Sequence, residues 1–274
     1  MVDIIKKQLV YIMVTLSLLL SACSAGVTTE QPKGEVLESK AAETKKEQIE
    51  EESVEEPEEE IVDPQYELDA TWGVKPIDDA DSKVVLLTID DAPDKRALDM
   101  AKTLKELGAP AIFFVNGHLI DSEEKRAIVK EIHDMGFAIG NHTKTHADLQ
   151  QLSEDEQLEE ILSVSDTVEE IIGERPLFFR APFGQNTDFS KEIVEEDGML
   201  LMNWSYGYDW EKEYMDKDAI ADIMINTNLL HDGVNLLMHD REWTADALEE
   251  IVVGLREKGY EMLDPALIKG VEEQ

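Results

Sequence analysis

Val84-Val85-Leu86-Leu87-Thr88-Ile89 is an unbroken run of aliphatic and β-branched residues. With no polar alternation, such a run fits a strand covered on both faces, the situation of a parallel sheet. Directly downstream, Ala97, Met100, Ala101, Leu104 and Leu107 recur at helical spacing within residues 94–107, and Gly108 ends the pattern. Ala111-Ile112-Phe113-Phe114-Val115-Asn116 reads as a second strand. A helix over 121–135 follows, opened by Asp121 with Glu124 three residues on, in the manner of a capping box. Phe137 to Asn141 reads as the third strand.

The alternation continues to the carboxyl terminus. Ser153-Glu154-Asp155-Glu156 caps a longer helix with the stripe Leu158, Ile161, Leu162, Val168, Ile171, Ile172, closed by Gly173. Further strands are expected over 177–180, 199–204, 234–239 and near 260–263, separated by helices near 188–197, 216–228 and 244–257. Repeated strand–helix units imply right-handed crossovers and a parallel sheet, either open and doubly wound or curled into a barrel. An eight-unit barrel takes ~250 residues, ~200 at the lower limit. Residues 70–274 supply about 205. The expected fold class is therefore α/β, an irregular seven-stranded (β/α) barrel of TIM-like type, with its site at the carboxyl ends of the strands.

Outside that domain the composition changes. The chain of 274 residues is 42% apolar and carries a formal net charge of -37, which argues against nucleic acid or an anionic membrane as an electrostatic partner. Residues 70–274 hold 45 acidic and 19 basic side chains, so the acidity is not confined to a tail. Residues 24–65 are rich in Glu, Lys, Ser, Thr and Gln and include Glu50-Glu51-Glu52 and Glu58-Glu59-Glu60. Such a stretch buries too little apolar surface to offset its ordering entropy and reads as a self-repelling linker.

The single cysteine, Cys23, excludes an internal disulfide. It follows Lys6-Lys7 and an apolar run from Leu9 to Leu20. That run is short of the ~20 residues of a membrane span but suits a secretory signal. Leu20-Ser21-Ala22-Cys23 resembles the lipobox of bacterial lipoproteins. The resemblance implies cleavage before Cys23 and a diacylglycerol on its thiol, tethering the protein at the extracellular face of the cytoplasmic membrane. The expected organisation is a signal peptide at 1–22, an acidic disordered linker at 23–69 and a catalytic domain at 70–274.

The ends of the expected strands carry ionisable groups. Asp90-Asp91 closes the first, His142 follows the third, Arg180 closes the fourth, Asp209-Trp210 lies beyond the fifth, and His239-Asp240 closes the sixth. His142-Thr143-Lys144-Thr145-His146 places two imidazoles four residues apart, where a helical turn would bring both onto one face. Two His and one Asp make a three-ligand site with open positions, the pattern of a catalytic metal. Of the adjacent pair Asp90-Asp91, one carboxylate is expected to bind the ion while the other stays free as a base. A His across the site can protonate a leaving group, with Asp209 holding it as imidazolium. The reaction class is metal-assisted hydrolysis of an acyl group, an amide or an ester.

Thr88-Ile89-Asp90-Asp91-Ala92-Pro93, His142-Thr143-Lys144-Thr145-His146, Arg180-Ala181-Pro182-Phe183-Gly184, Asp209-Trp210 and Leu237-Met238-His239 resemble, in order, the five motifs of the polysaccharide deacetylases, carbohydrate esterase family four. The resemblance covers about residues 83–263. It implies that Asp90 is the catalytic base and that Asp91, His142 and His146 are the metal ligands. Zinc is the usual ion, cobalt or nickel an occasional one. Arg180 would orient the base, the Phe183 amide would help bind the oxyanion, and His239 would be the general acid held by Asp209. Trp210 and Leu237 would wall a pocket for the acetyl methyl.

There are departures from the family pattern. Ile89 stands where Phe is common, Ala92 where Gly is, Phe183 where Tyr often appears, and Tyr206 where another Asp is usual. Tyr206, Tyr208, Trp204 and Trp243 are expected to form an aromatic rim for sugar rings. His133 and His231 are expected to stay outside the chemistry, and His118, near the end of the second strand, either lines the rim or only caps the following loop. A tethered enzyme beside the cell wall is expected to act, as a monomer, on peptidoglycan N-acetylglucosamine. N-acetylmuramic acid, chitin oligomers and acetylated exopolysaccharide are the other glycans considered, and a weakly active, glycan-binding lipoprotein is the rival reading.

Overall fold

The structure, a computed structural model, describes residues 63–271. The expected signal peptide, Cys23 and the linker up to residue 62 lie outside the described residues. Among the described residues the first element is β1 (Tyr66–Leu68), which pairs antiparallel with β2 (Val74–Pro76). Tyr66 is buried and its hydroxyl donates to the carbonyl of Asp81 at 3.0 Å. An aromatic ring packed in this way draws residues 66–69 into the folded unit, on the linker side of the boundary expected at residue 70.

The main sheet begins with β3 (Val84–Ala92), followed by α1 (Ala97–Leu107), β4 (Ile112–Val115), α2 (Glu123–Asp134) and β5 (Ala138–Asn141). Next come α3 (Glu154–Ile172), β6 (Phe178–Phe179), α4 (Asp188–Glu196) and β7 (Leu200–Leu201). The last elements are α5 (Lys217–Asn226), β8 (Val234–His239), α6 (Glu242–Glu257) and β9 (Glu261–Met262). All seven strands from β3 to β9 pair in parallel. Their order is β7-β6-β5-β4-β3-β8, with β9 joined only to the first two residues of β3. The sheet curls. Beyond β7 the chain meets β8 again, where Ser205 N–H donates to Asn235 at 2.8 Å and Leu237 N–H to Tyr206 at 2.8 Å. The α/β barrel expected from the sequence is therefore present, and its irregular parts are the short β6, β7 and β9.

Strand alternation divides the core in two. Val85, Leu87 and Ile89 of β3 face outward and pack with Met100, Leu104, Ile251 and Leu255 of the helices. Leu86 faces inward and packs with Ile112, Phe114, Phe178 and Met202 in the barrel interior. Burial on both faces explains why β3 reads as a continuous apolar run. Gly140 is required by this interior, since a Cβ there would sit 2.5 Å from the Phe114 ring.

Helix ends follow the sequence signals, with one change. Ser153 and Glu156 form the capping box of α3, and Gly173 ends it with φ 92°. The cap of α2 is Ser122 rather than Asp121, because Ser122 holds the extended conformation and its Oγ accepts from Lys125 N–H at 3.3 Å.

Candidate active site

β3 carries the first two site residues past the point where its ladder with β4 is regular. The register shifts between Ile89 and Ala92, and Asp91 takes φ 61°. In an even strand Asp90 and Asp91 would project to opposite faces. The bulge re-aims the second carboxylate, and both Asp reach the same rim. Asp90 is buried and Asp91 half-buried.

His142 and His146 leave the end of β5 on a loop, not on the helical turn expected from their spacing. Thr143 has φ 67° and His146 φ 60°. These left-handed residues fold the loop back, so the two rings meet with centroids 5.0 Å apart. Three buried side chains fix that loop. Asn116 donates to the His142 carbonyl at 2.6 Å, Asn141 accepts from Thr143 N–H at 2.9 Å, and Glu160 accepts from Thr145 N–H at 2.8 Å and its hydroxyl at 2.6 Å. None of the three was legible as a site residue, because an Asn or Glu in a strand end or helix carries no signal of what it will face.

Asp91, His142 and His146 form a group whose possible ligand atoms all lie within 4.8 Å of one another. The hydrogen bonding suits a cation there. His142 Nδ1 lies 2.7 Å from the Arg180 carbonyl, which only accepts, so Nδ1 carries a hydrogen and Nε2 is the nitrogen that faces the carboxylates. Nε2 lies 3.5 Å from Asp90 Oδ2 and 3.9 Å from Asp91 Oδ1, and His146 Nε2 lies 3.6 Å from Asp91 Oδ1. Burial, and then the neighbouring His142, push His146 below the ordinary imidazole value, which favours its neutral, ligating form. Asp91 sits below the usual carboxylate range: burial alone would raise it, but His142, His239, His146 and Arg241 together outweigh that.

Arg180, fully buried at the end of β6, donates to Asp90 Oδ1 at 2.7 Å, Thr88 Oγ1 at 2.8 Å and the Asn203 carbonyl at 2.8 Å. Its guanidinium lies over the Phe114 ring at 4.4 Å. His239 ends β8, opposite Asp90 in the β3–β8 register. Its Nδ1 lies 2.7 Å from Asp209 Oδ1, while Asp209 Oδ2 accepts from Thr244 Oγ1 at 2.8 Å. Burial is the largest influence on His239 and lowers it, yet the bond and charge of Asp209, with Asp90 and Asp91, raise it above the ordinary value.

The expected substrate contacts divide. Phe183 (φ 58°) is exposed, with its ring centroid 4.9 Å from His146, and Trp210 is partly exposed, 5.5 Å from His239. Each of these rings stands edge-on against an imidazole of the site. Leu237 is buried in β8. Tyr206 corrects the expectation of a rim residue. It is 3% exposed, and its hydroxyl donates to the Met224 carbonyl at 2.7 Å inside the core. Next to its bridge to β8, the side chain packs in the helix layer outside the barrel, against α5. Trp243 donates from Nε1 to the Asp209 carbonyl at 2.8 Å and so braces the acid pair. His133 pairs with Glu174 at 2.9 Å, and His118 and His231 are exposed.

A sequence model of the polysaccharide deacetylases matches residues 77–202. The peptidoglycan-N-acetylmuramic acid deacetylase PdaC of Bacillus subtilis is 32% identical over 201 residues, covering 72% of this chain and 41% of PdaC. The chain thus spans well under half the length of that relative. The solved structure of PdaC matches with a TM-score of 0.60 at 30% identity, covering 68% of this chain and 89% of that one. A peptidoglycan-N-acetylglucosamine deacetylase of Bacillus cereus is 31% identical over 188 residues, covering 65% of this chain and 68% of the relative. A pseudoenzyme of carbohydrate esterase family four from Bacillus anthracis has a TM-score of 0.60 and 27% identity, covering 66% of this chain and 63% of that one. Shared fold alone therefore does not decide activity. Sequence, sheet topology and the residues at the strand ends agree, and the chain belongs to the polysaccharide deacetylase family.

Proposed function

We propose that this chain is a metal-dependent hydrolase that removes N-acetyl groups from peptidoglycan N-acetylglucosamine, working as a monomer tethered outside the cytoplasmic membrane. One observation carries the reading. A three-ligand group, Asp91 with His142 and His146, shares its rim with Asp90 and with the His239–Asp209 pair, all from one chain.

In this reading Asp91, His142 and His146 hold a divalent ion, with zinc favoured by two imidazoles and one carboxylate and cobalt or nickel suited to the same donors. Bound there, such an ion supplies Lewis-acid polarisation of the acetyl carbonyl and a lowered pKa for water. Asp90 takes the proton of the attacking water through Oδ2, since Oδ1 is engaged by Arg180. The Phe183 amide donates to the developing oxyanion. His239 passes a proton from Nε2 to the departing amine while Asp209 holds Nδ1. Trp210 and Leu237 wall the space for the acetyl methyl.

The anchor is proposed at Cys23, supported by Leu20-Ser21-Ala22-Cys23 behind an apolar run. Among the described residues no helix is long and apolar enough to cross a membrane. A second sugar has specific support. PdaC is named for N-acetylmuramic acid and the Bacillus cereus relative for N-acetylglucosamine, so muramic acid is the alternative substrate.

The test is acetate release from defined peptidoglycan and chitin fragments, with products located by mass spectrometry, with and without chelator. Loss of acetyl from N-acetylglucosamine units, abolished by chelation, is expected. Loss from muramic acid alone replaces the first sugar with the second. No acetate from any N-acetylated glycan in the presence of zinc or cobalt overturns the enzyme reading.

A further inference from the structure

Asp90 and Asp91 are held in matching ways by two arginines from different elements. Arg180 Nη1 takes Asp90 Oδ1 at 2.7 Å and leaves Oδ2 facing His142. Arg241 Nη2 takes Asp91 Oδ2 at 2.7 Å and leaves Oδ1 facing His142 and His146. The first pair was legible from the motifs. The second was not, because Arg241 lies beyond the last of them.

Asp91 needs such a partner more than Asp90 does. It sits at the bulge with φ 61°, outside the regular ladder, and its side chain is 17% exposed against 3% for Asp90. An unheld carboxylate there could turn about its Cβ and present either oxygen, or both, to an ion. Arg241 is itself well placed to prevent this. Its N–H donates to the His239 carbonyl at 2.8 Å, and its other nitrogen, Nη1, lies 3.4 Å from Asp94 Oδ2. The preceding residue, Asp240, accepts the backbone N–H groups of Asp94, Lys95 and Arg96 at 2.7, 2.9 and 2.5 Å. The segment that carries Arg241 is thereby bolted to the segment that follows Asp91.

We infer that Arg241 is a positioning residue for the metal ligand Asp91, holding Oδ2 so that the carboxylate offers the ion one oxygen only. The inference rests on the metal-dependent reading above. A one-oxygen ligand keeps the coordination number low and leaves positions for water and substrate, as a catalytic site requires. Outer partners of this kind set the affinity and geometry of a metal site. A lysine keeps the charge but lacks the planar fork that spans Asp91 and Asp94.

The experiment measures Zn²⁺ and Co²⁺ dissociation constants by chelator competition, and the visible spectrum of bound Co²⁺, for the full chain and its Arg241→Gln and Arg241→Lys variants. Arg241→Gln is expected to weaken metal binding about 10- to 100-fold. Its Co²⁺ absorption should also lose intensity as the second oxygen of Asp91 joins the ion. Arg241→Lys is expected to recover part of the affinity. An affinity and spectrum unchanged in Arg241→Gln overturn the inference. If that variant does not fold, Arg241→Lys decides, and wild-type affinity with a wild-type spectrum overturns it equally. A wild-type chain that binds neither ion instead overturns the metal-dependent reading itself.

Discussion

Asp209 grips His239 twice, accepting its backbone N–H at 2.6 Å through Oδ2 and lying 2.7 Å from its ring Nδ1 through Oδ1. The ring is thereby fixed in position, with Nε2 left free of Asp209. Its pKa stands above the ordinary imidazole value of about 6.5 because the carboxylates outweigh the burial that would lower it. A raised imidazole adds stability that is whole below the ordinary value and is lost as pH rises through the raised one. A general acid follows the same window, working while protonated. Activity should therefore fall on the alkaline side. Asp209→Asn should move that limb to lower pH and reduce kcat about 10²- to 10⁴-fold, as a pH–rate profile would read. An alkaline limb left in place would remove His239 from the acid role.

Removal of the metal has a readout independent of turnover. A ligand bound at 100 times its Kd stabilises the native state by about 2.7 kcal/mol. Zinc added to chelator-stripped protein should raise the melting temperature, and His142→Ala should abolish that rise, because its Nε2 is one of the three converging ligand atoms. Differential scanning calorimetry over a zinc titration checks both.

Arg180 is the buried charge on which the barrel interior depends. Replacing it with Met leaves Asp90 buried without its cation and the Thr88 hydroxyl without the guanidinium that donates to it. Breaking a buried pair from one side costs ~3–5 kcal/mol. Urea denaturation of Arg180→Met should show a loss of that size, along with loss of activity. A stable but inactive variant would place Arg180 in the chemistry alone.

Tyr206→Phe separates core from rim. The substitution removes the bond to the Met224 carbonyl and should cost about 0.5–1.5 kcal/mol of stability. KM for the glycan should stay the same, since the side chain is sealed from solvent. A raised KM with stability intact would return Tyr206 to the substrate.

Much of this fold and site is legible in the sequence. Val84 to Ile89 announced a strand covered on both faces because parallel strands under helices leave no side free for polar residues. The strand ends then located Asp90, Arg180 and His239 on one rim, since topology alone decides that placement. What the sequence hid depends on backbone angles and on distant partners. The spacing of His142 and His146 suggested a helical turn, yet two left-handed residues in a loop bring the rings together. Tyr206 read as a rim aromatic because nothing local reveals that its strand segment bridges to Leu236. Glu160 and Arg241 carry no signal in the sequence, and only the fold puts them beside Thr145 and Asp91.

The bulge at Asp91 bears on attempts to move this site elsewhere. A graft that copies Asp90 and Asp91 onto an even strand of another barrel would send the two carboxylates to opposite sides, one inward and one toward the helices. What must be transplanted is thus a length of misregistered backbone, and the identity of the side chains comes second to it.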